Sequence, residues 1–155
     1  MNQPPRPCPH TPACAAPQAG VPAFRGLPAV VVHGAGDVAF VLDAAAGGRG
    51  ATLLSAPGAA LFAGAGWWRA LVADARTGWP GAAFDDVLDC ADAPGRVLEA
   101  LRLGQRAVVL DPGSAAWGAM EALAAHEGAV LLGCRPAALD LAARGAARRL
   151  GTWLA

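Results

Sequence analysis

The sequence predicts an α/β fold with a parallel sheet, and three observations support this prediction. Short apolar runs without alternation recur five times, as the buried strands of a parallel sheet require. Each run precedes a segment with apolar residues at helical spacing, and glycine, proline or aspartate separates the two. We expect five βα units and a sheet with helices on both faces, in flavodoxin-like or Rossmann-like order. The alternative is half of a (βα)8 barrel that closes by dimerisation.

The N-terminal segment has a different composition from the rest of the chain. Residues 1–26 contain seven prolines, which restrict the backbone and remove hydrogen-bond donors. We therefore expect a disordered proline-rich tail over 1–26 and a single α/β domain over 27–155. Cys8, His10 and Cys14 in the tail offer three metal ligands, but a structural zinc site needs a fourth. No metal site is assigned to them.

The first βαβ crossover is the centre of the predicted fold. A strand over 29–33 leads into a helix over 37–46, for which Asp37 is placed as the N-cap. Glycines end this helix, and a second strand follows over 51–54. The second unit then continues into a helix over 67–77.

The last three units follow the same pattern. Asp92 and Ser114 are placed to cap the helices of the third and fourth units. Pro136 is placed at the start of the fifth helix, in which Asp140 and Arg144 form an i,i+4 pair. The strands of these units are predicted over 84–89, 107–110 and 129–132.

Polar or reactive residues follow every predicted strand. Because ligands bind at the carboxyl ends of the strands in either architecture, these residues are the candidate site. Aspartate, serine and glycine at such places also serve as helix caps and turn residues, which is the competing interpretation. The catalytic candidates are His33, Asp89, Cys90 and Asp111. The ligand-binding candidates are Gly34, Gly36, Ser55, Asp92, Ser114 and Arg135.

Two chemical arrangements of these candidates are open. His33, Cys90 and an aspartate are the residue types of a Cys-His-Asp nucleophile system. Asp89, Asp92 and Asp111 are carboxylates of the kind that hold Mg²⁺. Their order along the chain does not establish contact between them, so neither arrangement is assigned and the predicted site contains no metal.

The turn after the first strand reads GAGDVA over residues 34–39. This run resembles the G-x-G-x-x-A fingerprint of Rossmann dinucleotide-binding proteins, which implies a phosphate at the helix N-terminus. Asp37 departs from the implied chemistry because its carboxylate repels a phosphate. Ser55 stands where a dinucleotide-binding protein carries an acidic residue for the ribose. The cofactor is therefore left unassigned.

Three longer segments carry a second resemblance. The runs TLLSAPGAALFAGAGWW, VLDCADAPGRVLEALRLGQRAVVLDP and RPAALDL cover residues 52–68, 87–112 and 135–141. They resemble a group of small α/β proteins from GC-rich bacteria. This resemblance implies a shared fold and no particular activity.

Charge and hydropathy exclude several classes of partner. Twelve arginines balance twelve acidic residues, so we expect neither nucleic-acid binding nor attraction to an anionic membrane. No apolar run reaches the roughly 18 residues of a membrane span. We expect a cytoplasmic protein, in which Cys90 and Cys134 are thiols.

Aromatic residues are concentrated in the second unit, where Phe62, Trp67, Trp68 and Trp79 lie close together in sequence. They belong either to the core or to the interface of a homo-oligomer. The expected function is binding of a small molecule or phosphate ligand at the carboxyl ends of the strands. The alternative is a non-catalytic, oligomerising structural protein, and whether the chain is an enzyme is left open.

Overall fold

A computed structural model describes residues 25–155 of the chain. Residues 1–24 of the expected proline-rich tail lie outside the described range. The group Cys8, His10 and Cys14 lies outside it as well. No helix in the described range is long and apolar enough to cross a membrane. The strands are β1 Ala29–Val32, β2 Ala51–Ser55, β3 Phe84–Asp89, β4 Ala107–Val109, β5 Val130–Leu132 and β6 Ala138–Asp140. The helices are α1 Ala35–Ala45, α2 Ala59–Phe62, α3 Ala65–Gly78, α4 Pro94–Arg102, α5 Trp117–His126 and α6 Ala146–Leu154.

The strands form one six-stranded sheet in the order β5-β4-β3-β2-β1-β6, and every neighbouring pair is parallel. Strands and helices alternate along most of the chain, as expected for a parallel sheet. The predicted α/β class is confirmed. The strand order differs from both the flavodoxin-like and the Rossmann-like order, because strands β1 to β5 advance across the sheet in one direction.

The sixth strand corrects the prediction for the fifth unit. Residues 138–140 form β6 beside β1, with Leu139 opposite Val30, whereas a helix was expected from Pro136 onward. A three-residue strand is too short to show a period, and a proline suits a strand entry as well as a helix start. The helix begins only at Ala146, so the predicted helical pair of Asp140 with Arg144 does not form.

A short link joins the two edge strands of the sheet. The six Cα–Cα steps from Leu132 in β5 to Ala138 in β6 reach at most about 23 Å. Five spacings of about 4.8 Å already place the edge strands of a flat six-stranded sheet about 24 Å apart. The sheet is therefore curled so that β5 and β6 approach each other, and its strand order is that of a barrel left open between them.

The two faces of this sheet are packed differently. All six helices contribute residues to the larger apolar cluster, which includes Val30, Val32 and Leu53. The second cluster consists of strand residues only within the described range, among them Val31 and Leu54. Right-handed crossovers that advance in one direction place every helix on the same side. The helices thus cover one face, which differs from the expected two-sided covering, and the second cluster lines the concave face.

Candidate functional site

Three of the candidate residues meet at the carboxyl ends of β2 and β3. Arg135, in the link between β5 and β6, donates hydrogen bonds to Asp89 and to the carbonyl of Ser55. The hydroxyl of Ser55 accepts the backbone N–H of Asp89 at 2.9 Å. The Asp89 side chain is only 5% exposed, and that of Arg135 is 26% exposed. This network holds the link against the ends of two strands. The charge of Arg135 is paired with Asp89 in this network.

The residues that follow Asp89 form a constrained turn. Cys90 is fully buried, and burial, followed by the charges of Asp89 and Glu99, raises the pKa of its thiol to about 12. Ala91 has φ of +51°, in the left-handed region that disfavours residues with a Cβ. Its N–H donates to Asp89 at 2.7 Å. Cys90 is therefore a protonated thiol at neutral pH, which disfavours a nucleophilic role.

A second hydrogen-bonded pair of side chains lies at the carboxyl ends of β1 and β6. Nε2 of His33 lies 2.8 Å from Oδ1 of Asp140, and the two side chains are 36% and 44% exposed. Asp37 in the first turn of α1 accepts the backbone N–H of His33 at 2.9 Å. Asp140 also accepts the N–H of Ala142 at 2.9 Å. Both partners are therefore positioned by backbone contacts as well as by each other.

The environment of Asp140 favours its ionised form. Partial burial raises the pKa of this carboxyl group. The hydrogen bonds from His33 and Ala142, together with the charges of His33 and Arg135, outweigh that effect and hold the pKa below its ordinary value of 3.8. Asp140 is therefore an anion at neutral pH, which lets it accept a hydrogen bond from the imidazole of His33.

The turn between β1 and α1 leaves open space. The N-cap of α1 is Gly34 and not Asp37, which lies in the first turn of the helix. A Cβ added at Gly34 or Gly36 would meet no atom within 4 Å, and the φ of Gly34 is near 180°, so neither crowding nor backbone conformation requires glycine there. The backbone of this turn is accessible beside His33.

The remaining candidates act locally in turns. Asp111 accepts the N–H of Gly113 at 2.8 Å, and Ser114 accepts the N–H of Ala116 at 3.4 Å. Neither Asp92 nor Ser114 is an N-cap, because Ala93 and Ala116 occupy those positions. Within residues 25–155, no three side chains of His, Cys, Asp or Glu are grouped as a metal ion would require. The cation site considered for Asp89, Asp92 and Asp111 is therefore not assembled.

Asp140 is the polar residue that sequence reasoning missed. It was assigned to a helix, where its side chain would lie on the surface. The available signal was its position as the polar residue directly after a short apolar run, Ala138-Leu139, as in the other strands. The distance of 107 residues between Asp140 and His33 gives no local hint of their contact.

The structure corrects the prediction for Cys134. This residue takes part in a disulfide and is not a thiol, while Cys90 is the free cysteine of the described range.

Asp86 is buried on the helix-covered face, where it accepts hydrogen bonds from Gln105 at 2.7 Å and Arg76 at 3.2 Å. Its contacts hold β3 against its neighbours and do not reach the carboxyl edge.

The charges at the carboxyl edge are predominantly negative. Five aspartates lie at the strand ends, in the turns that follow them or in the first turn of the next helix, and Arg135 is already paired with one of them. A shallow cavity of about 260 Å³ lies at the opposite, amino-terminal end of the sheet, lined by residues 44–50 and the end of α6. It contains none of the candidate residues. The five aspartates are Asp37, Asp89, Asp92, Asp111 and Asp140.

The chain matches no protein-family model, and no curated protein and no solved structure matches it either. The class of protein is therefore defined by its architecture: a curled, six-stranded parallel α/β sheet whose carboxyl edge carries an Arg–Asp ion pair and a His–Asp pair.

Proposed function

We propose that this chain binds a small molecule at the carboxyl edge of the sheet, beside β1 and β6. The observation that supports this proposal is the pair of His33 and Asp140. It lies partly exposed next to the open turn at Gly34 and Gly36. A hydrogen-bonded pair this exposed contributes at most about 1 kcal/mol to stability, so holding the fold does not account for it.

The charges of this edge favour a neutral or cationic ligand over a phosphate. Asp37 accepts the N–H of His33 and places its carboxylate at the N-terminus of α1, where a phosphate would bind. Asp140 and Asp111 add negative charge along the same edge. A hydroxylic ligand instead gains hydrogen bonds to these carboxylates and to the imidazole of His33.

Ligand-induced melting shifts test this proposal. A panel of matched compounds contains free polyols, amines and the phosphorylated form of each polyol. We expect a neutral or amine compound to raise the Tm of the wild-type protein and the phosphorylated forms to have smaller effects. His33→Gln should abolish the shift, whereas His126→Gln, at the exposed end of α5, should retain it. A wild-type protein that responds to no compound contradicts the proposal.

Self-association is the second candidate function. Leu61, Phe62 and Trp67 are exposed large apolar side chains within seven residues of sequence, and Phe62 is 72% exposed. Trp68 is fully buried in the core and Trp79 is partly buried, so the aromatic residues of the second unit divide between core and surface. Exposed aromatic residues are enriched at interface cores, which supports a homo-oligomer that uses this surface.

Light scattering over a range of protein concentrations tests self-association. The wild-type mass should rise above that of the monomer, and Phe62→Ser should shift the equilibrium toward the monomer. Leu103→Ser provides the control, because Leu103 is exposed to a similar extent as Leu61 but lies at the end of α4. A monomer mass that persists at the highest concentration excludes this function.

A further inference from the structure

We propose that His33 is a proton-transfer residue of this edge and that Asp140 is its positioning residue. The inference rests on the proposed function, since the proton would come from a hydroxyl group of the bound molecule. It concerns a pair that the fold creates from the ends of β1 and β6, two strands that are neighbours in the sheet and far apart in sequence.

The geometry assigns different tasks to the two nitrogens of the imidazole. Nε2 lies 2.8 Å from the carboxylate of Asp140, so a neutral ring that carries its proton on Nε2 donates this bond. Nδ1 makes no hydrogen bond to any residue of the described range. Its lone pair is then available to accept a proton, which is the arrangement of a general base held by an aspartate.

Transfer of a proton to the ring places a cation against the carboxylate of Asp140. When Nδ1 takes the proton of a hydroxyl group, the imidazole becomes a cation and the hydroxyl oxygen keeps the electron pair of the broken bond. Asp140 faces the ring from β6 and pairs with this cation, whereas Asp37 binds the backbone N–H of His33. Arg135 is already paired with Asp89. Reversal of the step returns the proton.

The other candidates at this edge are less suited to the task. Cys90 is buried with a raised pKa. Asp89 is enclosed by Arg135 and its own turn, and Asp111 accepts the N–H of Gly113. Among the four catalytic candidates, His33 therefore has the group best placed to exchange a proton with a bound molecule.

Carbethoxylation by diethyl pyrocarbonate tests the inference, because it reports on the same lone pair. An imidazole nitrogen attacks a carbonyl carbon of the reagent, and ethanol and carbon dioxide leave. Mass spectrometry at pH 8 compares the rate at His33 with the rate at His126, which is exposed at the end of α5. We expect His33 to react faster, because Asp140 holds the proton on Nε2 and leaves the lone pair of Nδ1 free to attack the reagent.

Variants of Asp140 separate the positioning role from a merely structural one. Asp140→Asn keeps the acceptor for Ala142 but removes the charge, and it should lower the His33 rate below that of the wild-type protein while the His126 rate stays unchanged. Asp140→Glu should restore part of the rate, and Asp111→Asn should leave it unchanged. Equal rates in the wild-type and Asp140→Asn proteins, with unchanged circular dichroism, overturn the inference.

This experiment contains no ligand, so its outcome is independent of the melting panel. Loss of the rate difference with a retained ligand-induced shift overturns proton transfer and leaves binding in place. A retained rate difference without any ligand-induced shift has the opposite meaning: the pair is reactive, but the proposed binding at this edge is contradicted.

Discussion

The Arg–Asp pair and the His–Asp pair at the carboxyl edge of the sheet differ in what surrounds them. The pair of Arg135 and Asp89 lies at the ends of β2 and β3, where the carboxylate is almost completely buried and every partner belongs to the fold. The pair of His33 and Asp140 lies at the ends of β1 and β6, where both side chains are partly exposed. The comparison indicates that the first pair stabilises the structure, whereas both side chains of the second remain accessible to solvent.

The largest effect should come from breaking the buried pair. Arg135→Met leaves the carboxylate of Asp89 buried without its cation, and we expect the free energy of unfolding to fall by about 3 kcal/mol. Urea denaturation measures this value. The matched control is Arg96→Met, because Arg96 pairs with Glu99 on the exposed surface of α4 and should cost less than about 1 kcal/mol. Equal losses in the two variants would contradict the structural role of Arg135.

The buried end of β3 should also control stability at alkaline pH. The pKa of Cys90 is raised from 9.0 to about 12, so the unfolded chain loses this proton at lower pH than the native chain. The free energy of unfolding should therefore decrease between pH 9 and 12, by up to about 1.4 kcal/mol per pH unit.

Cys90→Ala should remove this dependence. The chain has neither lysine nor tyrosine, so few other side chains titrate in that range. Urea denaturation at a series of pH values compares the slopes of the two proteins and not their absolute stabilities. Parallel pH dependences in the wild-type protein and the variant are the result that contradicts this prediction.

The turn after Cys90 contains a strained backbone conformation, and a single substitution should relieve it. Ala91 occupies the left-handed region with φ of +51°, and Ala91→Gly should raise the free energy of unfolding by about 1 kcal/mol. Ala93→Gly is the control, since Ala93 has φ of −103° and gains nothing from glycine. Thermal denaturation of both variants checks the difference, and a lower Tm for Ala91→Gly would contradict it.

The smallest effect on stability should come from the exposed pair. His33→Gln removes the hydrogen bond and the charge that lower the pKa of Asp140, so that pKa should rise toward 3.8. Its lowered native value stabilises the fold above pH 3.8 and loses this contribution as the pH falls through the native pKa.

The wild-type protein and His33→Gln should therefore differ by less than about 1 kcal/mol at neutral pH and converge in acid. Carbon NMR of the Asp140 carboxyl group measures its titration, with His126→Gln as the control. An unchanged titration of Asp140 in His33→Gln would show that the pair is not formed in solution.

The sequence predicted much of the fold because local patterns carry it. Apolar runs and helical spacing located β1 to β5 and most of the helices, since buried strands and amphipathic helices each leave a period in the sequence. These patterns did not reveal β6, because it is only three residues long. Strand order and the one-sided packing of the helices were not predictable, because they depend on how distant segments pair.

The candidate site was predicted in part for the same reason. His33, Ser55, Asp89 and Arg135 were identified because each follows or lies near the end of an apolar run. The pairing of these residues was not predicted, because no local pattern in the sequence pairs His33 with Asp140 or Arg135 with Asp89. Cys90 was placed correctly at a strand end, but its burial and raised pKa depend on the elements packed around it.

The sequence by itself determined that this chain forms a parallel α/β sheet with polar residues at the carboxyl ends of its strands. Hydrophobic periodicity and turn preferences depend on residues that are near neighbours in sequence, so the sequence alone reveals them. The tertiary structure alone decided that Arg135 is used to hold the link between β5 and β6, and that His33 stands exposed beside Asp140. Burial and charge pairing arise only when distant segments meet, and they distinguish a buried, stabilising ion pair from an exposed pair of side chains.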